Sequence, residues 1–226
     1  MKNYTKYWFL EGFNLFKKLG ALTMMRICEI LEMDTIDKGE KIELENSNEK
    51  KIFFLKKGTI KIVNTETNTV KYIVKRGNIF GELALYEQGK NLEAAYALED
   101  SIVCYIEANQ MEELMQKHKS LKNGILKIYG LRIKKLERRL NDLLYKDSTT
   151  RIKEFVFDYI SELGEEIEGD ILQAKNLLSH AEIANLTNTS RQTVNNVMSN
   201  LRKQGIINYD TQYISTNKKA LVENMV

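Results

Sequence analysis

Proline is absent from all 226 residues, so turns must rely on glycine, asparagine, aspartate and serine. Cysteine is nearly as scarce. Cys28 and Cys104 lie far apart in sequence and form no metal-ligand spacing. Buried, reduced thiols are the first reading of the pair, and redox sensing is the second. Histidine occurs twice, at His118 and His180. No apolar run approaches the ~18 residues of a membrane span. The first residues carry aromatics and Glu11 with no small-residue cleavage site, so a signal peptide is not expected and the chain reads as cytoplasmic. Neither a nucleophile–base pair nor a metal-ligand cluster stands out. No enzyme activity, metal or cofactor is therefore expected.

What is present is a globular composition, 43% hydrophobic and 29% charged, long enough for two cores. The net charge of +3 says less than its distribution. Residues 117–146 hold ten Lys/Arg against two acidic residues, whereas 147–226 hold eight against eleven. The stretch 174–205 within that acidic tail is locally basic. Phosphate binding would have to come from that one face.

Hydrophobic periodicity divides the chain into segments. Tyr4 to Leu19 and Leu22 to Met33 show helical spacing. From Asp37 to Ile106, short β-rich runs alternate with turn residues at Lys57-Gly58, Asn64 to Thr69 and Arg76-Gly77, which argues for a β-sandwich or roll. Phe80 to Gly89 interrupts it with a short helical turn. Ser120 to Tyr145 is the longest helix candidate. Its Leu126, Tyr129, Ile133, Leu136, Leu140 and Leu143 alternate at spacings of three and four, a seam suited to self-pairing. Asp147-Ser148-Thr149 breaks that helix and can cap the next, and is read as a hinge. Thr150 to Leu163 predicts a helix with Ile152, Phe155, Val156, Tyr159 and Ile160 inward, and Ile171 to Ala174 a strand.

The most informative stretch is Ser179 to Gly205. Ile183, Ala184 and Leu186 mark one short helix, and Val194, Val197, Met198 and Leu201 mark another. Thr187-Asn188-Thr189-Ser190 between them favours turns and N-caps. The second helix opens with Arg191, Gln192 and Thr193, followed by Asn195 and Asn196. These side chains carry donors and acceptors that read base edges in a major groove. Ile206 to Tyr209 and Tyr213 to Ser215 then predict a small hairpin, and a short helix follows from Asn217. The layout is a winged helix-turn-helix.

The order of these parts resembles the CRP/FNR family of bacterial transcription regulators over nearly the whole chain. The specific carriers are Gly81-Glu82-Leu83, the FKKLG segment at 16–20, and AEIANLTNTSRQTVNNVMSNLRKQGII at 181–207. The resemblance implies an α+β fold in three segments. These are a cyclic-nucleotide-binding-like β-roll with N-terminal helices (1–117), a long dimerisation helix (118–146) and a winged helix-turn-helix DNA-binding domain (147–226). It implies double-stranded DNA, a second copy of the chain and RNA polymerase as partners, with an unnamed small-molecule effector.

In members that bind cyclic nucleotides, the Gly-Glu-Leu turn is followed by an Arg-Ser/Thr-Ala step that holds the phosphate. The matching positions are Leu92, Glu93 and Ala94. Leu92 carries no charge. Glu93 places a negative charge where an anion should sit, worth ~4 kcal/mol of the wrong sign at ~4 Å and an effective dielectric of ~20. The positions whose hydroxyls meet adenine are Leu136 and Glu137. Two positions therefore argue against cAMP or cGMP, and any pocket would be lined by Glu82, Leu83, Leu92, Glu93, Ala94 and Leu136. An iron–sulfur cluster lacks its cysteines, and a haem lacks a histidine in the roll.

The resemblance assigns Arg191 to guanine. Gln192 stands where many members have Glu, and would pair with adenine. Asn196 replaces a second Arg, so the half-site should carry more A·T character. Thr189, Ser190 and Thr193 are the phosphate-holding candidates, with Lys203, Arg202 and His180 behind them. The expected function is a sequence-specific transcription regulator, dimeric on a pseudo-palindrome. The rival is a ligand-binding or scaffolding module whose degenerate helix-turn-helix serves protein contacts.

Overall fold

The computed structural model describes residues 10, 13, 15–16, 19–46, 49–85 and 92–224. Most of the first aromatic segment and residues 86–89 of the Phe80–Gly89 stretch lie outside them. The chain forms two compact units, residues 1–135 and 136–226. The division falls inside the long helix and not at its ends.

In the first unit, helix α1 (Ala21–Ile30) leads into β1 (Glu32–Ile36). The helical reading of 22–33 therefore ran too far, because Met33 pairs with Cys104 in a ladder. The roll continues with β2 (Lys41–Ile42), β3 (Glu45–Asn46), β4 (Glu49–Lys57), β5 (Thr59–Asn64), β6 (Val70–Lys75), β7 (Ile79–Phe80), β8 (Glu93–Ala97) and β9 (Ser101–Glu107). One sheet runs β1-β9-β4-β3 with β7 on β4, and the other runs β2-β8-β5-β6. All recorded pairs are antiparallel.

Strand β4 explains why its sequence is apolar without alternation. Ile52 and Phe54 pack on a helical core with Phe13, Phe16, Ile27, Met111, Leu121 and Ile125. Phe53 and Leu55 face the opposite sheet, where they meet Ile60, Ile62, Val74, Phe80 and Val103. Successive side chains point to opposite faces, and both faces are buried. Both cysteines are buried in the helical core. Gly81 follows β7 with φ +77°, and a Cβ there would stand 2.5 Å from the Lys51 carbonyl. The 3₁₀ turn Glu82–Leu85 follows it. Helix α2 (Ala108–Lys117) then leads to the long helix α3 (Lys119–Tyr145).

The second unit packs α4 (Ser148–Leu163) against a sheet and two short helices. Asp147 is the N-cap of α4: Oδ1 accepts from the Thr150 amide at 2.9 Å and Oδ2 from the Thr150 hydroxyl at 2.8 Å. These bonds hold its carboxyl below the ordinary aspartate range. Phe157, not Phe155, is fully buried with Ile152, Val156, Tyr159 and Ile160. A strand absent from the sequence reading, β10 (Glu165–Ile167), pairs with β11 (Ile171–Lys175). Its three residues are all exposed, so no hydrophobic alternation marked it. Helices α5 (His180–Thr187) and α6 (Arg191–Lys203) follow, then β12 (Ile207–Tyr209), β13 (Tyr213–Asn217) and α7 (Lys218–Asn224). The sheet order is β10-β11-β13-β12.

Candidate functional site

The helix-turn-helix is built from local chemistry. Ser179 caps α5 and forms a reciprocal capping box with Glu182. Asn188 ends α5 at φ +50°, a conformation that asparagine tolerates. Ser190 caps α6, its Oγ accepting from the Thr193 amide at 3.0 Å. Val194, Val197, Met198 and Leu201 are buried, which turns Arg191, Gln192, Asn195 and Asn196 outward, all exposed. Both helices are capped and the polar face of α6 is open.

The phosphate candidates divide by what already engages them. The Ser190 hydroxyl also meets Thr193 Oγ1 at 2.8 Å, and Thr189 Oγ1 meets Thr187 Oγ1 at 2.9 Å. Lys203 is exposed in the last turn of α6, and Arg202 lies over the Tyr209 ring at 5.2 Å. His180 is half-buried, with its Nδ1 against Asn195 Oδ1.

Arg151 is a positioning residue that the sequence did not single out. Its guanidinium donates to the carbonyls of Lys146 at 2.6 Å, Thr187 at 3.0 Å and Asn188 at 3.2 Å. It thereby ties the end of α3 and the start of α4 to the turn of the helix-turn-helix. Lys146 adds ion pairs to Asp142 at 2.7 Å and Glu154 at 2.6 Å. Asp147, read as a hinge, sits inside this bonded corner. A signal existed: an arginine in the first turn of a helix opposes the macrodipole and so asks for carbonyl partners elsewhere.

In the roll, Glu82 is fully buried and ion-paired with Arg132 of α3. Burial pushes its carboxyl above the usual range, and the Arg132 charge opposes that rise. Arg132 also donates to the Ile79 carbonyl at 3.1 Å and to the Tyr72 hydroxyl at 3.4 Å, and lies 5.0 Å from the Tyr72 ring centroid. Burial raises the Tyr72 phenol as well. Glu93, where a phosphate-holding hydroxyl was sought, is nearly buried and paired with Lys71 at 2.5 Å. Leu92 is exposed and Ala94 buried, while the Leu83 side chain lies outside the described residues. The structure thus brings Glu82 together with Arg132 and Tyr72, which the sequence reading missed. Arg132 lies within the basic stretch 117–146 and was not singled out there. Its place three residues after Tyr129, on the same helix face, was the available signal.

Tyr129 corrects the seam. Its hydroxyl donates to the Glu82 carbonyl at 2.5 Å, and the ring packs on the helical core. It faces the roll. Leu126, Ile133, Leu136, Leu140 and Leu143 stay exposed, joined by Leu131 and Leu144. Leu136, proposed for the pocket, is 65% exposed.

An antiparallel β-roll, a long helix and a winged helix-turn-helix with an open polar face define a DNA-binding transcription regulator. Residues 34–118 match the cyclic nucleotide-binding domain model, and residues 156–223 match the Crp-like helix-turn-helix domain model. The chain belongs to the CRP/FNR family of transcription regulators. It is similar to the global nitrogen regulator of Synechocystis, 25% identical over 218 residues, which are 94% of this chain and 91% of that one. It is 25% identical over 163 residues to the cAMP-activated global transcriptional regulator Vfr of Pseudomonas aeruginosa, covering 69% of this chain and 75% of that one. The solved structure of FixK2 from Bradyrhizobium japonicum shares the fold, with a TM-score of 0.70 at 18% identity over 87% of this chain and 98% of that one.

Proposed function

We propose that this regulator is a cytoplasmic, non-enzymatic homodimer. It reads a pseudo-palindromic site with two α6 helices in successive major grooves about 34 Å apart. RNA polymerase is the protein partner of the bound dimer. Arg191 reads guanine and Gln192 adenine, with Asn196 beside them, and the α6 N-terminus with Thr189, Ser190, Thr193 and Lys203 holds phosphates. The observation that carries the reading is a pair of open faces: the polar face of α6 and the apolar stripe of α3 from Leu126 to Leu144. Half-exposed leucines in such a row are stabilised by burial against a partner helix, at about 25 cal/mol per Å². Introducing Glu at both Leu136 and Leu140 should halve the sedimenting mass and abolish the tight complex with a two-half-site operator. A dimer that survives both substitutions would sink the seam.

The effector is not cAMP. The support is Lys71 neutralised by Glu93, and Glu82 already occupied by Arg132. A phosphate entering there would meet a buried carboxylate with no unclaimed cation offered by these four side chains. Calorimetry on purified protein should show no heat of cAMP binding in the micromolar range. A micromolar saturable isotherm would overturn this part alone and leave the DNA reading intact.

A further inference from the structure

We infer that the corner built by Arg151 and Lys146 sets the half-site spacing that the dimer accepts on DNA. This rests on the reading of two paired α3 helices, each carrying one α6 into a major groove. Only Lys146 and Asp147 separate α3 from α4. Both are engaged. The Lys146 amide donates to the Asp142 carbonyl at 3.1 Å, and Asp147 caps α4. The Lys146 ammonium bridges Asp142 of α3 and Glu154 of α4. Two turns earlier, Arg138 reaches Asp158 of α4 at 3.1 Å. Across the corner, Arg151 donates from Nη1 to the Lys146 carbonyl, from Nε to that of Thr187 and from Nη2 to that of Asn188. Thr187 and Asn188 begin the turn that leads into α6. The end of α3, from Leu136 on, falls in the same compact unit as the winged helix-turn-helix.

A guanidinium is a rigid, planar fork, and its bonds to carbonyls are charge-assisted. With one such fork on three carbonyls, the turn cannot shift against the end of α3 without breaking bonds. The exposed Leu136, Leu140 and Leu144 lie on the stretch of α3 that the corner ties down. Pairing of two such stretches therefore fixes two α6 helices at one separation, with no free joint between seam and reader. Successive base pairs are displaced by about 3.4 Å and turned by about 35°. One base pair added between the half-sites puts the second recognition helix out of register in both respects, and the base contacts of that half-site are lost. A chain jointed freely at residue 147 would swing to follow the added pair. Arg151 and Lys146 thus convert the geometry of the seam into a choice of operator spacing.

The experiment selects bound duplexes from a randomised two-half-site library with the full-length chain. Binding is then measured to the selected duplex and to versions with one base pair added or removed between the half-sites. The native chain should lose roughly five- to hundredfold for either change. R151M removes all three donors. It should bind the three duplexes within about threefold of one another, while keeping the preference for specific over scrambled half-sites. R191A should lose that preference, and if it does not, the recognition-helix reading fails. If the native chain binds one half-site as tightly as two, the dimer reading fails. If both readings hold and R151M keeps the native spacing profile, the role of the corner is refuted. Equal weakening on all three duplexes, as a lost phosphate contact would give, refutes it too. So does a native chain that tolerates either spacing change within about threefold. Should R151M misfold and lose the half-site preference, K146M carries the test, since it removes both ion pairs and leaves the carbonyl that Arg151 binds. A flattened profile in K146M supports the corner, and a native profile overturns it.

Discussion

Replacing Arg132 with methionine should cost the roll about 3–5 kcal/mol, because it leaves a buried carboxylate without its cation. That is a large share of a total domain stability of about 5–15 kcal/mol. Glu82 is fully buried, and Arg132 is the cation the structure pairs with it. The loss should depend on pH in a definite direction. Burial holds the folded carboxyl above its ordinary value, and removal of Arg132 takes away the opposing charge. A raised carboxyl favours folding while it is protonated, and that contribution fades as pH rises through the folded pKa. The R132M variant should therefore be closest to the native chain in acid and furthest from it above neutrality. Adding Glu82→Gln to R132M should return much of the stability, since no unpaired buried charge then remains. Urea titrations of the three chains at several pH values measure this. An R132M chain that loses the same amount at every pH would show that packing, not charge, accounts for the loss.

Arg191→Ala should remove sequence discrimination while leaving non-specific DNA affinity nearly intact. A bidentate arginine–guanine pair is worth about 1–3 kcal/mol of discrimination. Two half-sites bring the loss to roughly thirty- to twenty-thousandfold. Non-specific affinity comes from phosphate neutralisation, to which one exposed arginine of α6 adds a single charge. Arg191→Lys should not rescue it, because an ammonium lacks the planar fork. Mobility shifts with specific and scrambled duplexes at one fixed salt concentration separate the two quantities. Retained preference for the specific duplex would remove Arg191 from the reading role.

The elements were legible where a local rule governs them. The winged helix was readable almost residue by residue, because Ser179, Asn188 and Ser190 are capping residues and the apolar spacing of α6 points its polar face outward. The hairpin at 64–69 and the glycine turns at 58 and 77 followed from turn chemistry. Strand β10 was not legible, since all three of its residues are exposed and only their pairing with β11 makes them a strand.

By itself the sequence determined the order of the segments, the apolar stripe along α3 and the outward set on α6, because each depends on periodicity or on neighbours within a few positions. The family resemblance also pointed away from a phosphate-holding arginine, since Leu92 stands at its position. Only the tertiary structure decided what long-range polar partners do. Arg132 reaches a carboxylate fifty positions away, Arg151 binds carbonyls some thirty-six positions on, and His180 claims Asn195 across the turn. No spacing encodes such pairs, because a charged or polar side chain looks the same in sequence whether water or a buried partner satisfies it. The fold decides between the two by burying the partner, and burial makes the bond obligatory.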